Sequence, residues 1–327
     1  ATLLRVLLPF ALGHFMSYVL RLVNAVIAPD LARDVGVDAT GLGFLTAAYF
    51  LAFAAFQLPL GVLLDRYGPR RTVSTLMLVA ALGAVIFGSA TSMGGLVAGR
   101  MLIGLGLSAG LMGAFKAIVL WFPKERWALL NGTVLSAGAI GALTATAPVE
   151  AALGLTDWRG VLFAMSAAAT LASALIFLAV PRAQPGDGAP GGGPSGDGWA
   201  AQIRGIRTVY SSPVFWRYTP PAAAAVSMLF ATQSLWAGPW LRDMAGFDRD
   251  QVARGLFALA AAQIAGYPLA GALADRLRRM GVKTVTTSVS GIMLFAGVQV
   301  VMLSGISPWA TPVWIAFGFV VSTSSLS

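Results

Sequence analysis

Apolar residues in this chain come in runs of about 20, separated by short polar stretches, which is the spacing that membrane-crossing helices require. Taken in order, the runs predict spans at about 5–28, 41–64, 72–91, 95–121, 128–150 and 159–181. Four more are expected at about 215–237, 252–274, 284–304 and 309–326. Between the sixth and seventh lies PRAQPGDGAPGGGPSGDG, Pro181 to Gly198, too rich in Gly and Pro to pack and so expected as a flexible tether. After it, Trp199, Ile203, Ile206 and Tyr210 recur at helical spacing with Arg204 and Arg207 among them. That pattern fits a short amphipathic helix, either lying on the lipid surface or acting as a plain connector. The expected organisation is an N-terminal six-helix bundle (1–181), a linker with a short amphipathic helix (182–212) and a C-terminal bundle (213–327).

Composition turns the pattern into a class. The 327 residues are 57% hydrophobic and 11% charged, where soluble proteins carry about 25% charged residues. With a mean hydropathy of +0.78, the chain reads as an all-α polytopic membrane protein embedded in a lipid bilayer. The net charge of +9 raises nucleic acid as a partner, but the placement of the charge excludes it. Arg5, Arg66, Arg70, Arg71, Lys124, Arg126, Arg182, Arg204, Arg207, Arg217, Arg276, Arg278, Arg279 and Lys283 fall in loops at one end of the spans. Arg33, Arg159, Arg242, Arg249 and Arg254 fall at the other. This asymmetry puts the N-terminus in the cytoplasm of an inner membrane. There is no cysteine, which leaves no thiolate metal site or disulfide. The first span holds His14 and Arg21 and lacks a small-residue cleavage site, so it reads as a retained helix.

The most informative stretch is QLPLGVLLDRYGPRR, Gln57 to Arg71. Asp65 falls at the C-terminal end of its helix, where the macrodipole disfavours a carboxylate. An arginine or the N-terminus of another helix is expected to hold it. Gly271, Leu273, Asp275 and Arg276 repeat Gly61, Leu63, Asp65 and Arg66, each 210 residues further on. A duplicated half with a tether is the architecture of parallel-repeat transporters.

Gly61, Leu63, Asp65, Arg66, Gly68, Arg70 and Arg71 resemble the loop signature of the major facilitator superfamily between its second and third helices. Leu96, Arg100, Gly104 and Gly106 resemble its fourth-helix signature. The resemblance implies two six-helix pseudo-repeats, twelve helices in all. Ten are counted, and the last two are expected to be missing from this sequence. It also implies a monomeric carrier working by alternating access, with Asp65, Arg66, Arg70, Asp275 and Arg276 as cytoplasmic latches. A narrower resemblance links SYVLRLVNAVIAPDL to the anion:cation symporter branch, whose first-helix arginine and asparagine Arg21 and Asn24 would match. This chain departs from that branch at Leu20, where an aspartate is usual, and at Leu107, Ser108 and Ala109, where an acid is usual.

Ionisable groups within spans are functional suspects. His14, Tyr18, Arg21 and Asn24 follow at spacings of four, three and three and so share one face of the first helix. Arg21, a permanent cation with five donors, is suited to gripping an oxyanion. Its alternative is snorkelling, or pairing with a carbonyl or acid elsewhere in the bundle. Lys116 is either a second anion contact or a lysine reaching the interface. His14 is the candidate carrier of a coupling proton or a hydrogen-bonded structural residue. Tyr49 and Gln57, Gln233 and Trp236, and Gln263 and Tyr267 are candidates to complete the substrate site, each equally readable as an interhelical hydrogen bond.

GxxxxGK[ST] and HExxH motifs are missing, so neither ATP-driven pumping nor metalloprotease chemistry is supported. Neither an enzyme nor a cofactor is expected. The sequence predicts a secondary active transporter of a small organic or inorganic anion, with a proton or cation as coupling partner. Its rivals are efflux of amphipathic, drug-like compounds and a transport-inactive sensor or scaffold.

Overall fold

The computed structural model describes residues 3–182, 204–205, 207–217, 219–220, 223–224, 237–282, 284–303 and 316–317. The chain divides into two compact units, Ala1–Gly188 and Ala189–Ser327. The tether from 183 to 198, most of the amphipathic segment, most of the spans expected at 215–237 and 309–326, and the candidates Gln233 and Trp236 lie outside the described residues.

In the first unit the elements are α1 (Leu8–Val26), entered by a π-helical turn at Leu3–Leu7, α2 (Ala28–Val35), α3 (Ala39–Ala55) and α4 (Gln57–Ser89). They continue as α5 (Met93–Leu107), α6 (Gly110–Trp121), α7 (Trp127–Thr144), α8 (Ala147–Leu153) and α9 (Trp158–Ala179). Long apolar stretches at Leu3–Val26, Gln57–Ser89, Met93–Trp121, Lys124–Thr144 and Trp158–Ala179 are each sufficient to cross a membrane. The protein is a multi-pass membrane protein. Exposed Leu78, Leu82, Leu171 and Leu178 line the outside of this unit, as expected for surfaces solvated by lipid rather than water.

α4 is two helices in one. At Gly68 φ is +73°, a conformation that costs an L side chain energy and glycine almost nothing. Pro69 follows, with no N–H to carry the helix ladder across. The Thr72 hydroxyl donates to the Leu63 carbonyl at 2.9 Å, whereas nine residues of straight helix would separate them by about 13 Å. The bend is what the YGP turn predicts, and it separates the second span from the third.

Two apolar clusters fill the unit. One gathers Val19, Leu20, Val23, Tyr49, Met77, Phe87, Ile103 and Trp158; the other gathers Phe10, Leu60, Leu64, Val73, Ile118, Val134 and Ile176. Buried serines stitch the helices together: Ser166 Oγ donates to the Ala81 carbonyl at 2.8 Å and Ser173 Oγ to the Ser74 carbonyl at 2.7 Å. At one end, α2 is fastened to α9 by the Trp158 indole N–H, which donates to Asp34 Oδ2 at 2.9 Å. That bond and the neighbouring Arg33 hold the Asp34 carboxyl below the usual carboxylate range.

In the second unit, α10 (Ala237–Asp243), α11 (Arg249–Arg279) and α12 (Thr284–Leu303) pack around Leu241, Leu259, Phe295 and Phe317. Asp248 caps α11 by accepting from the Gln251 N–H at 2.7 Å, and the Gln251 side chain accepts from the Asp248 N–H at 2.9 Å. This reciprocal arrangement satisfies two otherwise orphaned donors. Arg254–Arg279 is long and apolar enough to cross a membrane.

α5 runs close to α3 because Gly104 has no side chain. A Cβ there would lie 3.0 Å from the Tyr49 carbonyl carbon and 3.1 Å from its Cα, with the carbonyl oxygen closer still. Backbone cannot yield as a rotamer can, and overpacking of this kind costs about 1–3 kcal/mol or more. Gly104→Ala should therefore lower the melting temperature by several degrees, whereas Gly43→Ala, within α3 and with nothing within 4 Å of the added Cβ, should leave it unchanged or raise it slightly. Thermal unfolding of the purified variants checks this, and equal melting would mean α3 and α5 have room to separate.

Candidate functional site

Three helices converge on a pair of arginines. Arg100, on α5, is 2% exposed, and among the described residues it meets no carboxylate. Its Nη1 donates to the Leu20 carbonyl and its Nη2 to the Arg21 carbonyl, both at 2.9 Å. A guanidinium buried against backbone alone, its Nε without a hydrogen-bond partner among the described residues, is costly unless the geometry is good. Here two charge-assisted bonds of about 1.5–3 kcal/mol each offset that cost. They also fix the backbone of α1 at the residue that carries the second arginine.

Arg21 is half-buried and surrounded by aromatic rings. Its Nε donates to the Tyr49 hydroxyl at 3.2 Å. Its Cζ lies 4.8 Å from the Tyr18 ring centroid, 5.5 Å from that of Phe53 and 5.9 Å from that of Tyr49. Each such contact contributes about 0.5–2 kcal/mol, depending on how dry it is. Arg100 shares the same ring, at 5.2 Å from the Tyr49 centroid. Tyr49 thus stands between two permanent cations. Among the described residues, no carboxylate pairs with Arg21. Its side-chain hydrogen bonds go to the hydroxyls of Tyr49 and Tyr18, and the planar guanidinium has the shape to meet an oxyanion.

His14 lies two turns before Arg21 and is 3% exposed. Its ring meets Tyr18 edge-on at 5.2 Å, so Tyr18 lies between the imidazole and Arg21. The space for it is made by two glycines: a Cβ at Gly138 on α7 would fall 2.7 Å from His14 Nε2, and one at Gly110 on α6 would fall 3.8 Å from Nδ1. Neither ring nitrogen, nor Asn24 Oδ1, has a hydrogen-bond partner among the described residues. The four residues expected on one face of α1 thus divide, with Tyr18 and Arg21 half-buried and His14 and Asn24 buried.

The signature loop is arranged differently from expectation. Asp65 is held by a lysine: Lys116 Nζ lies 2.8 Å from Asp65 Oδ1. Lys116, expected near the anion, is committed to this pair because α6 packs against the first part of α4. Arg66 lies 5.3 Å over the Tyr67 ring. Arg70, expected in a latch, donates its Nε to the Phe177 carbonyl at 2.7 Å and lies 4.6 Å over the Phe177 ring. A Cβ at Gly61 would meet open space beyond its own helix. Gly106 allows α5 to reach the backbone of Ala80 on α4.

Gln57 links two irregularities. The second span is distorted at Phe56, between α3 and α4, and the fourth is interrupted at Ser108–Ala109, between α5 and α6. Gln57 Nε2 donates to the Ser108 carbonyl at 3.4 Å. In the second unit, Gln263 is buried and Tyr267 half-buried on α11. Asp275 is buried and pairs locally with Arg278 at 3.1 Å, its side chain 4% exposed against 71% for Asp65. The two repeats of the signature thus place their acids in different surroundings.

Phe53 and the α1 carbonyls were the functional partners that sequence reasoning missed. Phe53 is one turn from Tyr49 on α3, so the spacing was there to be read. The carbonyls that hold Arg100 carry no sequence signal.

Helical spans with lipid-facing leucines, a repeated Gly-x-Leu-x-Asp-Arg signature and an arginine cluster inside one bundle define a polytopic membrane protein with a duplicated signature. The chain belongs to the Major Facilitator Superfamily, whose family profile matches residues 10–327. Among curated relatives, it is 34% identical over 113 residues to the nitrate/nitrite transporter NrtP of Picosynechococcus sp., covering 35% of this chain and 21% of that protein. It is 28% identical over 169 residues to the probable sulfoacetate transporter SauU of Cupriavidus necator, covering 51% and 39%. It is also 29% identical over 171 residues to the multidrug resistance protein Stp of Mycobacterium tuberculosis, covering 50% and 30%. The matches span about a fifth to two fifths of those relatives' lengths. The fold is similar to that of FucP in the outward conformation, with a TM-score of 0.66 at 14% identity, covering 98% of this chain and 84% of that structure.

Proposed function

We propose that this protein is a secondary active transporter that moves a small organic or inorganic anion across an inner membrane by alternating access. A cytoplasmic N-terminus is supported by the asymmetry of the arginines. The carrying observation is Arg21, a permanent cation walled by Tyr18, Tyr49 and Phe53 and left without a carboxylate among the described residues. Burying a charge without its counter-charge is costly, and an anionic passenger would supply the missing partner. The names of two relatives, for nitrate/nitrite and sulfoacetate, are in keeping with such a passenger. The similarity to a multidrug resistance protein supports a second reading, export of drug-like compounds.

In this proposal Tyr49 holds Arg21 in place through the hydroxyl that receives Nε, and Asn24 and Gln57 line the approach. His14 is the proposed carrier of the coupling proton. The Asp65–Lys116 pair is the proposed latch of the first unit, and Asp275 with Arg278 that of the second.

Three outcomes follow for protein reconstituted in liposomes. Arg21→Ala should reduce uptake of nitrate or of a short sulfonate or carboxylate by about a hundredfold, the loss of one buried charge-assisted pair worth about 3 kcal/mol. Unchanged anion flux, or extrusion of cationic dyes that survives the substitution, would favour the export reading. His14→Gln should transport without responding to a pH gradient, and a normal response would remove His14 from coupling. Asp65→Asn should slow turnover and alter labelling of cysteines introduced at the two ends, with anion affinity preserved; a wild-type rate would remove the latch.

A further inference from the structure

Arg70, Arg71 and Arg182 come together where α4 and α9 meet at the arginine-rich end of the first unit. Arg70 reaches across to α9, its Nε on the Phe177 carbonyl at 2.7 Å and its Cζ 4.6 Å above the Phe177 ring. That bond uses one donor and leaves the terminal nitrogens uncommitted among the described residues. Arg71 precedes an exposed stripe on α4 that runs through Leu78, Leu82 and Val85, and Arg182 follows one on α9 through Leu171, Leu175 and Leu178. Both arginines are exposed, and both lie near enough to Arg70 for their charges to repel its own. Asp65, the single acid of the signature loop, is spent on Lys116. Three cations therefore share one spot with no anion among the described residues.

We propose that this spot binds the headgroup of an anionic phospholipid, such as phosphatidylglycerol or cardiolipin, whose acyl chains lie along the leucine stripes of α4 and α9. A phosphodiester supplies the charge that the arginines lack, and its oxygens match the fork of a guanidinium. The stripes explain why the ligand is a lipid and not a free anion, because only a lipid brings apolar chains to them. Basic pockets between helices bind such headgroups, and each Lys or Arg near an anionic bilayer surface gains about 1 kcal/mol. The bound lipid would brace the Gly68 bend against α9 and so hold the signature loop in place.

The test uses the full-length protein in vesicles of phosphatidylcholine with or without phosphatidylglycerol, and in native mass spectra after release into detergent. Wild type should retain phosphatidylglycerol over phosphatidylcholine and melt higher when it is present. Arg71→Gln with Arg182→Gln should lose that preference, by about fivefold per arginine removed, while melting like wild type in phosphatidylcholine alone. If the double variant melts lower there, Arg182→Gln alone, just beyond α9, serves in its place. Lys124→Gln with Arg126→Gln, in the loop before α7, should keep the preference. Equal loss from both pairs would mean general surface attraction and overturn the site. Stabilisation by glycerol phosphate without lipid would mean a free-anion site and overturn it too, as would wild type showing no preference.

Discussion

The structure of the first unit depends on how one buried guanidinium is neutralised. Arg100 takes its two bonds from the carbonyls of Leu20 and Arg21 and not from an acid. A carboxylate partner would have cancelled the charge; carbonyls only solvate it. The positive field therefore persists around Tyr49, where Arg21 adds a second cation. Gly104 makes this possible by letting α5 approach the backbone of Tyr49, so that both arginines reach the same ring. One missing side chain thus sets the electrostatics of the bundle's interior.

Much of this was legible in the sequence, and what was not has a physical cause. The spans followed from the recurrence of apolar runs, and the Gly68 bend followed from a glycine–proline pair between them. The face of α1 followed from spacing. The partners of the charges did not. Lys116 and Asp65 are 51 residues apart, and only the packing of α6 on α4 brings them together. Arg100 binds backbone, which every residue carries and no motif records. His14 rests in space left by Gly110 and Gly138, and an absence of side chains is readable in sequence only once the neighbour is known.

The duplication is visible in sequence as a shared Asp-Arg signature, yet the two copies have diverged in what they do with the acid. In the first unit Asp65 is exposed and bound across helices, while in the second Asp275 is buried and bound within its own helix. A bond between helices reports their separation. A bond within one turn reports only that the helix is intact. The Asp65–Lys116 bond therefore depends on how α6 packs against α4.

Gln57 and Asp65 lie at opposite ends of one short helical segment, and their partners Ser108 and Lys116 bracket a second. The two segments are thereby rungs-and-rails, a small ladder set between the middle of the bundle and its arginine-rich rim. Neither rail can tilt on its own without parting a rung. A tilt of either segment would lengthen both contacts together, so the rim and the interrupted backbone at Ser108 are joined by the same short pair of helical segments.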